Sequence, residues 1–384
     1  MRYLLLFLFP LFVIADDLRE IKKEELELKR EKGKIEAELL RDSWINPLII
    51  NGDLFKSNVN DTDADYSKSI DISISQDIFK SGAISYQREQ ARLQNSINQK
   101  SIDFEYKETT IGVYELVLAL RIFDLKLRQL DLAVENKKIE IEREKQKYKN
   151  GVVDITELDT AILELSELKN SIESLHMEKE SYKTKLRFLS DKSYRQIELP
   201  DIKILSQKEF LSLNHLHIQK DVIAYNYLAK KIVDTEYLPK VSVNTRLKYE
   251  DSKYSRNIRD DKDSWEYGLH VSLPLDYNSI KIKQIAQKKF LLSKIQYQNA
   301  KENEKIFHQN ILNKVKFLKI KIKNNEEVKI TYDNLITQVN DLYQNGLKTI
   351  EDLTILKNTK KSKMQEILID ELSIKLELLK LYKR

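Results

Sequence analysis

The sequence predicts an α+β membrane protein built from long antiparallel helical hairpins and four transmembrane β-strands. Three observations support this prediction. Gly and Pro number only 7 and 5 in 384 residues, which favours long uninterrupted helices. Two short regions instead alternate apolar and polar residues, as strands do. Finally, a Tyr-x-Asn-Gly motif with downstream Ile and Leu occurs at residues 148–158 and again at 343–353, so one helical hairpin is used twice.

The first 15 residues have the features of a secretory signal peptide. Met1-Arg2 precedes an apolar run over residues 3–14, and a Val-Ile-Ala sequence suits cleavage before Asp16. We expect an exported mature chain without a lipid anchor, because no Cys follows the cleavage site. We also expect no transmembrane helix, since no later apolar run approaches the roughly 20 residues that a helical span needs. Residues 16–42 then predict a charged amphipathic periplasmic helix.

The composition argues against several classes of function. Charged residues are 33% of the chain, and 66 basic and 61 acidic residues are mixed along it, which indicates solvated helix faces and no nucleic-acid footprint. The absence of Cys excludes disulfides. No nucleophile and base motif or phosphate-binding loop occurs, so we expect no enzyme activity and no cofactor. His215 and His217 fall on different faces of a helix, and no metal site is expected there.

The first structural repeat is predicted over residues 43–235. Its clearest strand has apolar Ile70, Ile72 and Ile74 alternating with polar residues, and a less regular strand precedes it. Apolar residues spaced three and four apart then predict a helix of about 65 residues, which would be roughly 100 Å long. The predicted segments are a β-hairpin at 43–79 that includes a strand near 44–55, a long helical hairpin at 83–190 and a helix at 208–233.

The second structural repeat, residues 236–384, follows the same plan. Val241 and Val243 belong to one alternating strand, and Leu269 and Val271 belong to its partner. The predicted segments are a β-hairpin at 238–276 whose charged loop covers 250–263, and a long helical hairpin at 280–384.

Four alternating strands of about ten residues match the strands of outer-membrane barrels, although a soluble sheet shows the same alternation. An open strand edge in lipid leaves backbone groups unpaired, and the smallest barrels have about eight strands. Four strands therefore cannot close alone. If these hairpins enter a membrane, the chain must oligomerise.

These features resemble the TolC-type family of outer-membrane efflux proteins, the outer membrane factors. The resemblance rests on Ser75–Gly82, on Val271–Leu275 and on the two Tyr-x-Asn-Gly turns, and it covers nearly all of the mature chain. It implies a homotrimer with a 12-stranded β-barrel in the outer membrane of a Gram-negative bacterium. It also implies a large periplasmic portion in which each chain forms a sector of an α-helical barrel.

The function implied by the resemblance is a passive exit duct of a tripartite efflux or type I secretion system. The duct would be gated at its periplasmic end and powered by an inner-membrane pump that acts with a periplasmic adaptor, or membrane fusion protein. A different class, a periplasmic coiled-coil adaptor or scaffold that does not enter a membrane, also explains the helical hairpins. It leaves the paired alternating strands unexplained.

The resemblance also implies positions for functional residues. Thr156 and Glu157 in the first turn, with Tyr343 and Lys348 in the second, match the periplasmic gate. Lys348 can donate to Thr156 or pair with Glu157, and the Tyr343 hydroxyl can donate to the Glu157 carboxylate. Asp352 matches a position where the family has an inward carboxylate ring lining the pore.

Two further groups complete the expected site. The helix turns are expected to contact the adaptor, and exposed aromatic residues are expected at the membrane interface. The turn residues are Asn150, Gly151, Asn345 and Gly346, and the interface aromatics are Trp44, Trp265 and Tyr267. The chain departs from the family pattern at Asp77, where Pro is usual, and at Lys348, where Arg is common and offers a bidentate fork that Lys lacks.

Overall fold

A computed structural model describes residues 17–57, 65–253 and 259–384. The predicted signal peptide and its cleavage site before Asp16 lie outside the described residues. Helices and strands follow one another in the predicted order, two strands before each long helical hairpin. The elements are α1 Glu20–Asp42, β1 Ile49–Ser57, β2 Asp65–Phe79, α2 Ala83–Lys149, α3 Ile155–Leu189, α4 Gln207–Leu213, α5 Leu216–Thr235, β3 Lys240–Lys253, β4 Arg259–Ser272, α6 Ser279–Gln344 and α7 Ile350–Lys383.

The four strands form one antiparallel sheet in the order β1-β2-β3-β4. Strands β2 and β3 pair with each other, so the two sequence repeats share one sheet. Ile70 lies opposite Tyr249 and Ile72 opposite Leu247, which places the apolar residues of both repeats on the same face. The register shifts between Asp77 and Phe79, close to the end of β2.

Two predictions about the strands are wrong in detail. Strand β1 begins at Ile49, and Trp44 lies in the turn before it, where its carbonyl accepts a hydrogen bond of 2.9 Å from Gln76 Nε2. The charged segment 250–263 was predicted as a loop, but strand pairing continues through much of it to Lys253. Oppositely charged Glu250 and Lys262 face each other there, and such pairs support a sheet.

The helix predicted at 208–233 is two helices, α4 and α5. Asn214 ends α4 with an extended backbone (φ −80°, ψ 161°). The N–H of His215 donates to the carbonyl of Arg384 over 3.1 Å instead of continuing a helix. The break between α4 and α5 therefore depends on a tertiary contact with the end of α7. The spacing of apolar residues in this segment does not predict the break.

Helices α2 and α6 contain 67 and 66 residues. Their charged residues form many ion pairs one turn apart, such as Lys305 with Glu302 at 2.7 Å, which help to support long solvated helices. Within residues 17–57, 65–253 and 259–384, no helix has the combination of length and apolarity required to cross a membrane.

The chain divides into two compact units. The helical unit contains the residues up to Leu26, Asp103–His215 and Lys301–Arg384. Ion pairs connect its helices in the order α3-α2-α7-α6, for example Lys137 with Glu164 between α3 and α2. Its apolar core centres on Val113, Val117, Leu118 and Leu120 of α2, with Ile197 and Leu379, and a second cluster surrounds Phe210.

The sheet unit contains Glu27–Ile102 and Leu216–Ala300. Beside the sheet it holds α5 and parts of α1, α2 and α6. Asn98 of α2 donates to the carbonyl of Gly33 in α1 over 3.1 Å, and Lys100 of α2 pairs with Asp221 of α5 at 2.6 Å. These polar contacts attach α1 and α5 to the first part of α2.

Candidate functional site

Both Tyr-x-Asn-Gly turns have the same backbone structure. Gly151 and Gly346 have positive φ angles of 70° and 74°, which confirms the prediction that Asn-Gly reverses the chain at the end of each long helix. The N–H of Gly151 donates to the Tyr148 carbonyl over 3.0 Å, and the next N–H donates to the carbonyl five residues back. The same two bonds occur around Gly346, so each turn is a Schellman motif.

The helices that follow the two turns begin differently. Helix α7 starts with a capping box, in which the Thr349 hydroxyl accepts from the Asp352 N–H and the Asp352 carboxylate accepts from the Thr349 N–H. The N-cap residue of α3 is Asp154, and its side chain makes no capping hydrogen bond. Glu157 occupies the position equivalent to Asp352 and is exposed. The two copies thus share the geometry of the turn. They differ in the acidic residue that follows, because Asp352 caps its helix and Glu157 does not.

Asp352 also forms an ion pair with Arg143, near the end of α2, at 2.6 Å. Burial tends to raise the pKa of the Asp352 carboxyl. The hydrogen bonds from the Thr349 backbone and from Arg143, together with the charge of Arg143, outweigh burial and lower this pKa. The ionised carboxylate therefore joins the first turn of α7 to the last turns of α2.

This ion pair is one end of a polar seam between α2 and α7, which run antiparallel. Further along the seam, the amides of Asn358 and Asn136 bond at 3.0 Å, Gln129 donates to the Ser362 carbonyl over 3.4 Å, and Lys383 pairs with Glu115 at 2.8 Å. Asn358 is almost fully buried, so its hydrogen bond offsets a real desolvation cost.

The four residues matched to the gate lie around the two turns, two at each turn. In the part of the chain that the structure describes, no hydrogen bond or ion pair connects the side chains of Thr156 or Glu157 with those of Tyr343 or Lys348. Tyr343 is 38% exposed, and the other three are exposed as well. Their role in a gate remains a prediction, as does the pore-lining role of Asp352.

The exposed aromatic residues Trp265 and Tyr267 lie on the apolar face of β4. Their rings stack at 5.5 Å with an interplanar angle of 6°, and they are 69% and 76% exposed. The neighbouring Leu269 and Val271 are exposed on the same face. Trp44, in the turn before β1, is half-buried and does not share the strand environment of the other two.

The comparisons with known proteins rest on structure. No protein-family model and no curated protein sequence matches the chain. The solved structures do: crystal structures of CusC, described in terms of folding and transmembrane channel formation, match with a TM-score of 0.74 at 14% identity, covering 96% of this chain and 89% of CusC. The chain has the fold of TolC-type outer membrane factors.

Two further structures share this TolC-type fold. The Campylobacter jejuni CmeC outer membrane channel matches with a TM-score of 0.72 at 12% identity, covering 95% of this chain and 83% of CmeC. The open state of the Neisseria gonorrhoeae MtrE outer membrane channel matches with a TM-score of 0.71 at 12% identity, covering 97% and 86%. The resemblance drawn from the sequence motifs is confirmed at the level of the fold.

Sequence reasoning missed Arg143 and its partners along the seam. Arg143 lies in a run of alternating acidic and basic residues on α2, where nothing distinguishes it from its neighbours. Its importance comes from the approach of α7, more than 200 residues later in the chain. The TolC-type fold places one face of α2 against α7, and a search of that face for charged residues would have identified Arg143.

We expect Gly151→Ala and Gly346→Ala each to destabilise the helical hairpins by about 1 kcal/mol, because an L-residue is strained at positive φ. Both glycines have open space around the position of a Cβ, so the strain is in the backbone alone. Gly112→Ala is the matched control. It lies inside α2, also with open space, and should stabilise the helix instead. Thermal unfolding followed by circular dichroism measures all three variants, and equal effects would contradict the assignment of strain.

A double-mutant cycle of Arg143→Gln and Asp352→Asn should give a coupling energy of about 0.5–1 kcal/mol at pH 7, a modest value because both side chains are partly exposed. Folding lowers the pKa of Asp352, so this stabilisation is present above the ordinary aspartate pKa and is lost as the pH falls through the lowered pKa. The coupling should therefore weaken and then disappear as the pH is lowered and Asp352 becomes protonated.

The measurement is urea unfolding of the four proteins over a series of pH values from 7 downwards. The exposed pair Arg92 and Glu89, one turn apart on α2, is the control and should couple by only a few tenths of a kcal/mol. A coupling that is absent at pH 7, or that does not weaken as the pH is lowered, would contradict the ionic contact.

Proposed function

We propose that this chain forms a homotrimeric exit duct in the outer membrane of a Gram-negative bacterium. The observation that carries the proposal is a sheet with one exposed apolar face and two unpaired edges, in a chain with the TolC-type fold. On β4 alone, Trp265, Tyr267, Leu269 and Val271 are each at least 69% exposed. Such a face is unfavourable in water and favourable in lipid.

The strand order explains why several copies are needed. Strands β1 and β4 lie at the edges of the sheet, where their outer backbone groups have no ladder partner in the described part of one chain. In lipid each unsatisfied group would cost several kcal/mol, so the edges must pair. Joining β4 of one copy to β1 of the next satisfies both edges. Three copies, the number that the TolC-type resemblance implies, would give a closed 12-stranded barrel.

The opposite face of the sheet suits a water-filled interior. Asp71 on β2 is almost fully buried and forms an ion pair with Arg246 on β3, and Glu266 on β4 lies opposite Arg246. Ser73, Asn244 and His270 belong to the same face. Along the strands of membrane barrels, polar residues that face the interior alternate in this way with apolar residues that face the lipid.

The helical hairpins would then form the periplasmic portion, with the two Asn-Gly turns as its gated mouth. We propose that Thr156, Glu157, Tyr343 and Lys348 hold this mouth closed by contacts between neighbouring copies. Exposed contacts of this kind contribute below about 1 kcal/mol each, so a partner protein can open them. The turn residues Asn150, Gly151, Asn345 and Gly346 would meet the periplasmic adaptor, and an inner-membrane pump would supply the energy.

Asp352 has a more specific place in this scheme than a free carboxylate in the pore. Because it pairs with Arg143 and caps α7, it holds the α6–α7 hairpin against α2 within each copy. We propose that it fixes the position of the second turn, from which Tyr343 and Lys348 reach the neighbouring copy. The negative charge of Asp352 would attract cations in the pore only weakly, because the positive charge of Arg143 partly offsets it.

Cell fractionation tests the duct against the alternative of a periplasmic adaptor or scaffold. We expect the protein in the outer-membrane fraction as a trimer that dissociates on heating, and expect the purified trimer to conduct ions in a planar bilayer. Recovery in the soluble periplasmic fraction, with no conductance, would favour the adaptor. Replacing the exposed Leu269 and Val271 by Asp should prevent membrane insertion at a cost of a few kcal/mol, while Asp at Ser73 and Asn244 on the polar face should be tolerated.

The gate is tested by the double variant Tyr343→Phe and Lys348→Gln. The variant removes two contacts of up to about 1 kcal/mol each from every copy of the proposed trimer, so the ratio of open to closed channels should rise by at least roughly five- to thirtyfold. The control is Tyr148→Phe with Lys149→Gln, which makes the same chemical changes beside the first turn. Single-channel recording in planar bilayers measures both. Equal open probabilities in the two variants would remove Tyr343 and Lys348 from the gate.

A further inference from the structure

A basic cleft of about 760 Å³ lies within the helical unit, away from the two turns. Six cationic side chains and a single carboxylate are among the residues that line it. The cationic residues are Arg19, Lys179, Lys183, Arg187, Lys192 and Arg195, and the carboxylate is that of Asp191. Nothing in the proposed duct function accounts for this concentration of positive charge.

Three chain segments build the cleft. Lys179, Lys183 and Arg187 are spaced four residues apart and therefore lie on one face of α3 in successive turns. After α3 ends, the chain turns so that Lys192 and Arg195 join the same cleft. The start of α1 is bound alongside, because the N–H of Arg19 donates to the Leu189 carbonyl over 2.8 Å.

Four of the six cations have a carboxylate partner. The pairs are Arg19 with Asp191 at 3.2 Å, Lys179 with Asp124 at 2.5 Å, Lys183 with Glu180 at 2.6 Å and Lys192 with Asp17 at 2.7 Å.

Arg187 and Arg195 are different. Arg195 Nε donates to the Tyr194 hydroxyl over 3.3 Å, and in the described residues neither guanidinium forms an ion pair with a carboxylate. The charges of Asp124 and Glu180 still act on Arg195 and Arg187, respectively. The six cations nevertheless outnumber the four carboxylates that pair with them, so the cleft has a partly offset excess of positive charge. Cations that outnumber the nearby carboxylates repel each other, and a bound anion relieves this repulsion.

We propose that this cleft binds a small soluble oxyanion that carries two or more phosphate or carboxylate groups. Each guanidinium offers a planar fork of donors that matches such a group, and lysines around it add point charges. The volume lies in the range of about 300–1,000 Å³ that small-molecule sites occupy. The proposal depends on the helical unit alone, so it holds or fails independently of the duct.

Titration calorimetry on the purified full-length protein tests the site with pyrophosphate and citrate as probes. We expect Arg187→Gln and Arg195→Gln each to weaken binding about tenfold, the loss of one charge-assisted contact. Lys185→Gln is the control: Lys185 is on the same helix over the Tyr182 ring at 5.0 Å, does not line the cleft, and should leave affinity unchanged.

A gain of affinity provides a test that misfolding cannot imitate. Asp191→Asn removes the only carboxylate among the lining residues and releases Arg19, so binding of both probes should become several-fold tighter. Bound pyrophosphate should also raise the melting temperature of the wild-type protein and not that of the Arg187→Gln, Arg195→Gln double variant.

Three outcomes would overturn the proposal. In the first, neither probe binds. In the second, both probes bind equally to the wild-type protein and to the double variant. In the third, Lys185→Gln weakens binding as much as Arg187→Gln does, and this result would indicate diffuse attraction to a basic surface. A separate arm uses vesicles that contain phosphatidylglycerol. Association with these vesicles that needs Arg187 and Arg195, in the absence of pyrophosphate or citrate binding, would indicate a lipid headgroup in place of a soluble anion.

Discussion

Backbone hydrogen bonding between β2 and β3 is the constraint on which the sheet unit depends. Each repeat supplies one hairpin, and an isolated hairpin is marginally stable. The pairing from Tyr66 opposite Lys253 to Phe79 opposite Val241 joins the two hairpins into one sheet with a continuous apolar face. The same requirement for paired backbone groups then applies to β1 and β4, which the chain leaves at the edges. In the proposed trimer, pairing of β4 with β1 of the next copy would satisfy these edges in the same way.

The helical unit joins the repeats in a comparable way through the seam between α2 and α7. Apolar packing of Leu379 against α2 is accompanied there by specific polar contacts: a buried Asn358 amide, a bond from Gln129 to a carbonyl, and ion pairs at both ends. An apolar seam would permit the helices to slide by a turn, since apolar packing has no direction. Hydrogen bonds at defined positions oppose such a slip because a displaced partner would remain buried without a bond.

The duplicated turns show how a repeat acquires unequal roles. The Schellman geometry at Gly151 and Gly346 is the same, so the chain reversal was retained in both copies. The acidic residue that follows differs in its surroundings. Asp352 is held by Thr349 and Arg143, whereas Glu157 is exposed. One carboxylate joins its own hairpin to α2, and the other has the exposure that the proposed gate contact requires.

The basic cleft and the polar seam both use residues distant in sequence, and this explains what could be predicted. The sequence by itself determined the local elements: the long helices, because breakers are scarce and apolar residues are spaced three and four apart; the strands with their apolar face, because of the period of two around Ile72 and Val271; and the two turns, because Asn-Gly tolerates positive φ. The family resemblance followed from the order of these elements. Each of these properties depends on residues within about one or two turns of each other along the chain.

Only the tertiary structure decided which helix faces meet. It divided α4 from α5 through a contact with Arg384, extended strand pairing through the charged segment after Glu250, and brought Arg143 to Asp352. It also placed Arg187 and Arg195 together in one cleft. Charged residues fill most exposed helix positions in this chain, so composition cannot distinguish a partner from its neighbours. The distinction depends on distance and burial, which exist only once the chain has folded.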